Sequence, residues 1–336
     1  MNQAPLKIAV VIPAYRVKKQ VLDVLRGIGP EVAQIILVDD ACPEHSADFV
    51  EANFQDPRLT IVRHERNQGV GGAMVSGYRK ALELNADVVV KLDGDGQMNP
   101  AQIPELVHAI EIGEADYCKG NRFFSIESLA EMPIFRLVAN SVVSFVSKAV
   151  SSYWNLMDPA NGFTAIHANV LRAIPLDKID RGYFFESDML FRLGLLRAVA
   201  QDIPIDARYA DEISNIKIPR EAVQFPIKYF TRFWKRICYS YFIHDFNVCS
   251  VEMITGSLLL LFGIVFGGIH WRQSILLGVP ATSGTVILAA LPVVVGTQLL
   301  IAALSFDVNN VPKKPIHVGL GLRRQKRSSH DTGRDQ

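Results

Sequence analysis

Two stretches near the carboxyl terminus carry no charged side chain, and they restrict the possible folds of this chain more than any other feature. Residues 253–269 and 285–306 lack Asp, Glu, Lys and Arg altogether. In a helix, about 20 apolar residues cross a hydrocarbon core about 30 Å thick. We therefore predict a transmembrane hairpin over 251–308, with helices at about 253–270 and 285–306; two buried helices of a soluble protein are the alternative. The free helix faces of such a hairpin can associate with a second copy of the chain, and Gly256, Gly263, Gly267 and Gly268 would suit that packing.

The distribution of positive charge predicts the orientation of this hairpin. The connecting loop contains a single Lys or Arg, Arg272, whereas the tail after the second stretch includes Lys313, Lys314, Arg323, Arg324, Lys326 and Arg327. Because Lys and Arg concentrate in cytoplasmic loops, both termini are expected in the cytoplasm, with the hairpin in a membrane of the bacterial inner type. Residues 309–336 are predicted to form a disordered basic tail, because the part beyond Leu322 is polar, charged and without hydrophobic periodicity.

The segment before the hairpin predicts helices that lie at a membrane surface. Residues 225–250 combine many aromatic and aliphatic side chains with Lys228, Arg232, Lys235 and Arg236. This composition is typical of amphipathic interface helices, although an ordinary basic-faced helix of a soluble domain is an alternative. A further amphipathic helix is expected at 135–153, where polar residues interrupt a long apolar stretch.

The first 224 residues alternate short apolar runs with segments of helical periodicity. The runs that predict strands are Ile8–Ile12, Ile35–Val38, Leu59–Val62 and Asp87–Leu92. This alternation predicts an α/β domain with a mostly parallel sheet flanked by helices. The cysteines show no metal-binding spacing and the amino terminus does not resemble a signal peptide, so residues 1–224 are expected in the cytoplasm. A net charge of +1 gives no reason to expect a nucleic-acid partner.

Acidic and amide side chains follow the fourth run at alternate positions. The sequence Asp-Gly-Asp-Gly-Gln occupies residues 93–97, and an extended chain would project Asp93, Asp95 and Gln97 to one side. Their oxygen atoms suit Mg²⁺ or Mn²⁺, and such an ion would bridge the phosphates of a nucleotide. A calcium-binding loop does not fit, because the Gly and the Glu that it requires are missing. A simple acidic turn is the remaining alternative.

Four motifs together resemble the family 2 glycosyltransferases. In chain order they are Val10–Tyr15, Ile36–Asp40, Asn67–Ala73 and Asp93–Gln97. The sequence is most similar to the polyprenyl-phosphate branch, which includes dolichol-phosphate mannose synthase. The resemblance implies a GT-A fold, which is Rossmann-like, and inverting transfer of one sugar from a UDP- or GDP-linked donor to a polyprenyl phosphate at the cytoplasmic membrane face. Transfer to a hydroxyl of a glycolipid or glycan is one alternative, and an inactive nucleotide-sugar-binding membrane protein is another.

The resemblance also implies a nucleotide-sugar pocket. Its residues are Pro13, Ala14, Tyr15, Asp39, Gly69, Asp93 and Lys217. The first three resemble a wall of the nucleotide site, and Asp39 resembles the acid that recognises the base, although an aspartate there can instead cap the next helix. Gly69 and its neighbouring glycines are expected to let the backbone approach a ligand closely. Lys217 lies in a loop that is implied to hold the diphosphate.

Five residues resemble the family's catalytic residues: Asp95, Arg122, Asp158, Glu186 and Asp188. Asp158 begins a turn that lies near the transferred sugar in the family. Asn161 and Thr164 depart from the family's usual residues in this turn, which leaves the sugar open.

The acceptor phosphate is implied to bind Arg122 and Arg136, because a guanidinium group holds phosphate oxygens in pairs. A phosphate acceptor needs no general base. For a hydroxyl acceptor, Glu186 or Asp188 would be the base.

Overall fold

A computed structural model describes residues 6–124, 134–159, 161–206 and 218–321, with side chains for all of them except 135–140 and 218–223. The chain divides into two compact units. One unit contains the chain up to Phe233 together with the residues from Pro312 onward, and the other is Trp234–Val311. A sheet with flanking helices makes up the first unit, and long apolar helices make up most of the second.

Within the described residues of the first unit, seven strands form one sheet. They are β1 (Ile8–Ala14), β2 (Val32–Asp39), β3 (Leu59–Arg63), β4 (Val88–Lys91), β5 (Tyr117–Asn121), β6 (Thr164–His167) and β7 (Ala200–Pro204). Their order across the sheet is β3-β2-β1-β4-β6-β5-β7. Only β6 runs antiparallel to its neighbours, β4 and β5. The prediction of a mostly parallel sheet is therefore confirmed.

The central strands form where apolar side chains are buried on both faces. Every residue of β4 is buried, and in β1 only Pro13 is partly exposed. Continuous runs of Val and Ile are typical of parallel strands covered by helices on both sides. Pro13 has no N–H group, but it breaks no hydrogen bond between β1 and β4. The last of these bonds runs from Leu92 N to Val11 O, and β4 has already ended opposite Pro13.

Eight helices of the described chain precede the hairpin. They are α1 (Val21–Arg26), α2 (Ser46–Asn53), α3 (Val70–Glu83), α4 (Ile103–Glu111), α5 (Ile134–Ser151), α6 (Ala168–Ala173), α7 (Phe185–Leu196) and α8 (Ile218–Cys238). A helix is confirmed near 135–153 as α5. Before α4, a 3₁₀ turn spans Pro100–Gln102, because Asn99 caps that turn through the N–H of Ala101.

Two long apolar helices, α9 (Val248–Leu277) and α10 (Ser283–Asn309), contain the uncharged stretches. Both are long and apolar enough to cross a membrane. In their most apolar windows only 22% and 11% of residues are buried, unlike the core helices of a soluble protein. They pack closely at Gly256, where an added Cβ would lie 2.9 Å from Gly296 O.

The region predicted to lie at the membrane surface contains the end of α8, a π-helical turn at Tyr239–His244 and the start of α9. One of its basic residues is not on a surface. Arg236 is buried, and its guanidinium group donates to both carboxylate oxygens of Asp307 at 2.6 and 3.2 Å. Tyr241 donates to the same carboxylate. Arg236 therefore does not add a charge to the surface of this segment, and its ion pair offsets the cost of its desolvation.

The expectation of a disordered tail over 309–336 is wrong for its first part. Asp116, which lies fully buried just before β5, accepts hydrogen bonds from the N–H groups of Ile316 and His317 at 2.9 Å each. His317 Nδ1 lies 2.8 Å from the same carboxylate, and its ring stacks on His167 at 4.4 Å between centroids. The tail therefore returns to the first unit, because the buried carboxylate of Asp116 needs hydrogen-bond partners. A hydropathy pattern does not show this requirement.

The Asp116 contacts make stability depend on pH. Burial raises the pKa of this carboxyl, but the hydrogen bonds from His317 and from backbone N–H groups outweigh burial, so the pKa lies below its usual value. A depressed folded-state pKa adds stability above the unfolded value, about 3.9, and this stability is lost as pH falls through the folded value. Asp116→Asn should lower the free energy of unfolding at neutral pH by about 1–3 kcal/mol and reduce this acid dependence.

Thermal unfolding of the detergent-solubilised chain between neutral and acid pH measures this prediction. Glu114→Gln, at an exposed position two residues away, is the matched control and should change little. Equal melting curves for the two variants would contradict the proposed stabilisation by Asp116.

Candidate active site

The predicted site residues come from strand ends that meet at one edge of the sheet. Tyr15 follows β1, Asp39 ends β2, Asp93 follows β4 and Arg122 follows β5. Since these strands are parallel, their carboxyl ends lie at the same edge. The reversed strand β6 begins there, so the turn that ends at Phe163 reaches the edge as well. The strand order also changes direction between β1 and β4, and ligands bind at such switch points in α/β sheets.

The Asp-Gly-Asp-Gly-Gln segment is a turn. Strand β4 ends at Lys91, Gly96 has a φ of +79°, and Gln97 N donates to Asp95 Oδ1 at 3.0 Å. The extended alternation predicted for these side chains is therefore wrong, because Gly96 reverses the backbone. Asp93, Asp95 and Gln97 are all half-buried at the sheet edge, and their carboxylate and amide oxygens fit the ligand preference of Mg²⁺ or Mn²⁺.

A lysine that the sequence analysis did not single out lies beneath this turn. Lys91 is 1% exposed, and its Nζ lies 2.6 Å from Asp93 Oδ1 and 3.2 Å from Glu186 Oε1. Burial lowers the pKa of Lys91, but the charges of Asp93 and Glu186 outweigh burial and hold the pKa above its usual value. One ammonium group thus joins two of the predicted site residues, which come from the turn after β4 and from the first turn of α7.

The turn before β6 brings a second pair together. Arg122 Nε donates to Asp158 Oδ2 at 2.8 Å, and the Asp158 side chain is 1% exposed. Asn161 shapes this turn, since its Oδ1 accepts from Phe163 N at 2.9 Å and its carbonyl oxygen accepts from Lys119 Nζ. The structure therefore brings the predicted residues Arg122 and Asp158 into direct contact.

Gly162 lets this turn approach the Asp93 side chain. A Cβ at Gly162 would lie 2.6 Å from Asp93 Oδ2 and closer still to Lys91 Nζ. Any larger residue would have to displace one of these charged groups. Asn161 and Thr164, the two residues that differ from the family's usual turn, both lie next to buried lysines. Asn161 O contacts Lys119, and Thr164 is the strand partner of both Lys91 and Lys119.

The two predicted acidic residues of α7, Glu186 and Asp188, contact different partners. Glu186 is directed to Lys91, whereas Asp188 is fully buried and accepts from Arg192 Nε at 2.8 Å and Arg232 Nε at 2.9 Å. Asp180 N donates to Asp188 as well, at 3.1 Å. Residues two apart on a helix do not face the same side, so the two acids cannot act as one pair. These contacts favour a role for Asp188 in joining α7 to α8, and its assignment as a catalytic base is not supported.

Asp39 and Asp40 both bind backbone N–H groups. Asp39 accepts from Cys42 N at 2.7 Å and Ala47 N at 3.1 Å, so it caps α2 as the alternative interpretation expected. Base recognition by Asp39 stays a prediction. Asp40 accepts from the N–H groups of Gln68 and Gly69, each at 2.8 Å, and thereby orders the glycine-rich loop.

The glycines of that loop approach the protein's own backbone. Gly69 has a φ of +81°, and an added Cβ there would lie 2.5 Å from Arg181 O. A Cβ at Gly71 would overlap with Asp180 O. Close packing of α3 on residues 180–182 therefore explains these glycines, and a ligand contact at Gly69 remains a prediction.

The remaining predicted residues differ in how far the structure describes them. Pro13 and Ala14 end β1, and the ring of Tyr15, 38% exposed, lies under the guanidinium group of Arg16. Arg136 belongs to α5, but its side chain lies outside the described residues, and so does Lys217.

Sequence reasoning missed the two buried lysines, Lys91 and Lys119. Burial lowers the pKa of Lys119 to about 8, and its Nζ contacts the turn at Asn161. A signal for Lys91 was present in the sequence, since this lysine interrupts the run Asp87–Leu92, which otherwise predicts a buried strand. A charged side chain in such a strand must find a buried partner.

Comparison with known proteins identifies the class of protein. The sequence profile described as Glycosyl transferase family 2 matches residues 9–174. Undecaprenyl-phosphate mannosyltransferase of Micrococcus luteus is 32% identical over 205 residues, which are 60% of this chain and 83% of that protein. UDP-N-acetylglucosamine–dolichyl-phosphate N-acetylglucosaminyltransferase of Methanococcus voltae is 26% identical over 218 residues, which are 61% of this chain and 86% of that protein.

A solved structure shares the fold. Glucosyl-3-phosphoglycerate synthase from Mycobacterium tuberculosis, crystallised with UDP, has a TM-score of 0.52 at 20% identity over 68% of this chain and 80% of that one. A crystal of the same enzyme with Mn²⁺, UDP and glucosyl-3-phosphoglycerate has a TM-score of 0.50 at 19% identity, over 69% and 80%. The first unit therefore has the GT-A fold of glycosyltransferases. The chain belongs to glycosyl transferase family 2, in the branch of the polyprenyl-phosphate glycosyltransferases.

The Asp188 contacts predict a loss of stability on substitution. Asp188→Asn should lower the free energy of unfolding by about 3 kcal/mol, because two largely buried guanidinium groups lose their carboxylate. Chemical denaturation in detergent measures this change. Asp177→Asn, which removes an exposed carboxylate, is the control and should stay within about 0.5 kcal/mol of the unmodified chain. A value for Asp188→Asn as small as the control would contradict the structural role.

Proposed function

We propose that this chain transfers one sugar, with inversion, from a UDP- or GDP-linked donor to a polyprenyl phosphate at the cytoplasmic face of a membrane. The observation that carries the proposal is the meeting of Asp93, Glu186, Arg122 and Asp158 at one sheet edge in a family 2 chain. Two similar proteins, one bacterial and one archaeal, are named for transfer to undecaprenyl or dolichyl phosphate. The two apolar helices suit an enzyme with a lipid acceptor.

The donor end of the proposed site is the switch point between β1 and β4. Tyr15 follows β1 and Asp39 ends β2 on one side of this point, and the Asp93 turn follows β4 on the other. A divalent ion, Mg²⁺ or Mn²⁺, would be held by Asp93, Asp95 and Gln97, and when bound it stabilises the charge of the leaving diphosphate. The Mn²⁺ in a crystal of the glucosyl-3-phosphoglycerate synthase supports this expectation. Lys217 is proposed to contact the diphosphate as well.

The sugar end of the proposed site is at Glu186 and Asp158. Both carboxylates are held in place without a ligand, Glu186 by Lys91 and Asp158 by Arg122. Because these carboxylates are already fixed, they can accept hydrogen bonds from sugar hydroxyls with little further loss of conformational entropy. Which hydroxyls they bind decides the sugar, and the two named relatives transfer different sugars.

The acceptor is proposed to approach from the side of Arg122, with Arg136 as a second phosphate ligand. A phosphate oxygen of the lipid forms a bond to the anomeric carbon, on the face opposite the diphosphate. The bond from that carbon to the diphosphate oxygen breaks, and the nucleoside diphosphate leaves with the electron pair. Because a phosphate monoester has a second pKa near about 6, the nucleophile is already anionic at neutral pH and needs no protein base.

Transfer of radiolabelled sugar from a panel of UDP- and GDP-sugars to a short polyprenyl phosphate tests the proposal. With Mg²⁺ or Mn²⁺ present, label should enter the organic phase, and Asp95→Ala should reduce the rate by at least about 100-fold, as removal of electrostatic stabilisation does. Asp177→Asn, exposed and outside the site, is the control and should retain the rate. The product should have the anomeric configuration opposite to that of the donor.

Two results would contradict the proposal. Label on a glycolipid or soluble glycan, with none on the lipid phosphate, would make the nucleophile a hydroxyl and Glu186 the candidate base. Tight binding of nucleotide-sugar without turnover would indicate a binding protein that lacks activity.

A further inference from the structure

Lys91 occupies a position where a charged side chain is costly. It is the last residue of β4, paired with Val11 of β1 on one side and Thr164 of β6 on the other, and it is 1% exposed. Desolvating an ammonium group costs several kcal/mol, which an apolar side chain in the same strand would avoid. Stability alone therefore does not explain a lysine here.

The two partners of Lys91 come from opposite ends of the proposed donor site. Asp93 belongs to the turn proposed to hold the cation and diphosphate, and Glu186 belongs to the end proposed to hold the sugar. The ammonium group lies 2.6 and 3.2 Å from their oxygens. Gly162 closes the space beside it, since a Cβ there would overlap with Lys91 Nζ. The lysine can therefore contact neither solvent nor a lipid acceptor, and its charge acts on these two carboxylates.

We propose that Lys91 is a positioning residue that fixes Asp93 and Glu186 relative to each other, so that the donor's sugar is bound in one orientation. This inference rests on the proposed function, because it takes Glu186 as a sugar ligand. Lys91 does not itself touch the substrate. Its effect should fall on the sugar part of the donor, since the nucleoside part is proposed to bind at the ends of β1 and β2.

The same ammonium charge also controls the affinity of the apo site for a cation. Asp93, Glu186 and Lys91 together carry one negative charge, whereas the two carboxylates alone would carry two. A nearby positive charge opposes a second cation at close range. In the unmodified chain the divalent ion should therefore bind weakly by itself and much more tightly together with a diphosphate.

The experiment compares Lys91→Met with the unmodified chain by calorimetry and by electron paramagnetic resonance of Mn²⁺. Calorimetry measures the affinities for UDP, GDP, UDP-N-acetylglucosamine and GDP-mannose, and the ratio of sugar-linked to free diphosphate affinity gives the contribution of the sugar. Lys91→Met should reduce this ratio about tenfold and change the affinity for the free diphosphate less than about threefold. Mn²⁺ binding without nucleotide should tighten about tenfold.

Two further variants separate positioning from filling of space. Lys91→Met combined with Glu186→Gln restores one negative charge, so Mn²⁺ affinity should return toward that of the unmodified chain while the sugar contribution stays low. Lys91→Gln retains a donor but no charge, and it provides the Mn²⁺ measurement if Lys91→Met fails to fold. Lys80→Met, the same substitution on the surface of α3, is the control and should change neither quantity.

Equal weakening of free and sugar-linked diphosphates, with unchanged Mn²⁺ affinity, would overturn the proposal and leave Lys91 as a structural residue. These measurements need no acceptor. A chain that binds donors as expected but does not label polyprenyl phosphate would therefore contradict the proposed function and leave the role of Lys91 supported.

Discussion

The ion pairs of Lys91 with Asp93 and Glu186 are the interaction on which the arrangement of the sheet edge depends. A buried ammonium group requires partners within hydrogen-bonding distance, and the turn after β4 and the first turn of α7 each supply one carboxylate at the same point. Gly162 then has to lack a side chain, because the reversed strand β6 starts beside the same group. One residue in a strand thus fixes the meeting of three chain segments that lie far apart in the sequence.

Elsewhere in each unit, other buried carboxylates also bring together segments that lie far apart in the sequence. In the first unit, Asp188 joins α7 to α8 through Arg232, and Asp116 holds the returning tail at His317. In the second unit, Asp307 joins the end of α10 to Arg236. Such pairs add little net stability compared with apolar packing, but removing one partner leaves an uncompensated charge. They therefore specify which segments meet.

The sequence predicted the elements well because they follow from hydrophobic periodicity. Short apolar runs gave the strands of a mostly parallel sheet, and uncharged stretches gave α9 and α10. The site was only partly predictable. Strand-end residues such as Asp93 and Arg122 were identified by position and resemblance, but the partners of Asp188 depend on helix geometry and on α8, and the neighbours of Gly69 depend on tertiary packing. Hydropathy also could not show that His317 returns to Asp116, because one buried carboxylate leaves no periodic pattern.

The central claim is that the turn after β4 is where a cation and the diphosphate of a nucleotide-sugar bind. The most direct measurement is a crystal structure of the detergent-solubilised chain with Mn²⁺ and UDP or GDP, using the anomalous scattering of manganese to locate the ion. We expect an anomalous peak within about 2.5 Å of a carboxylate oxygen of Asp93 or Asp95, beside the bound diphosphate. Bound nucleotide elsewhere, or a manganese peak remote from both aspartates, would contradict it.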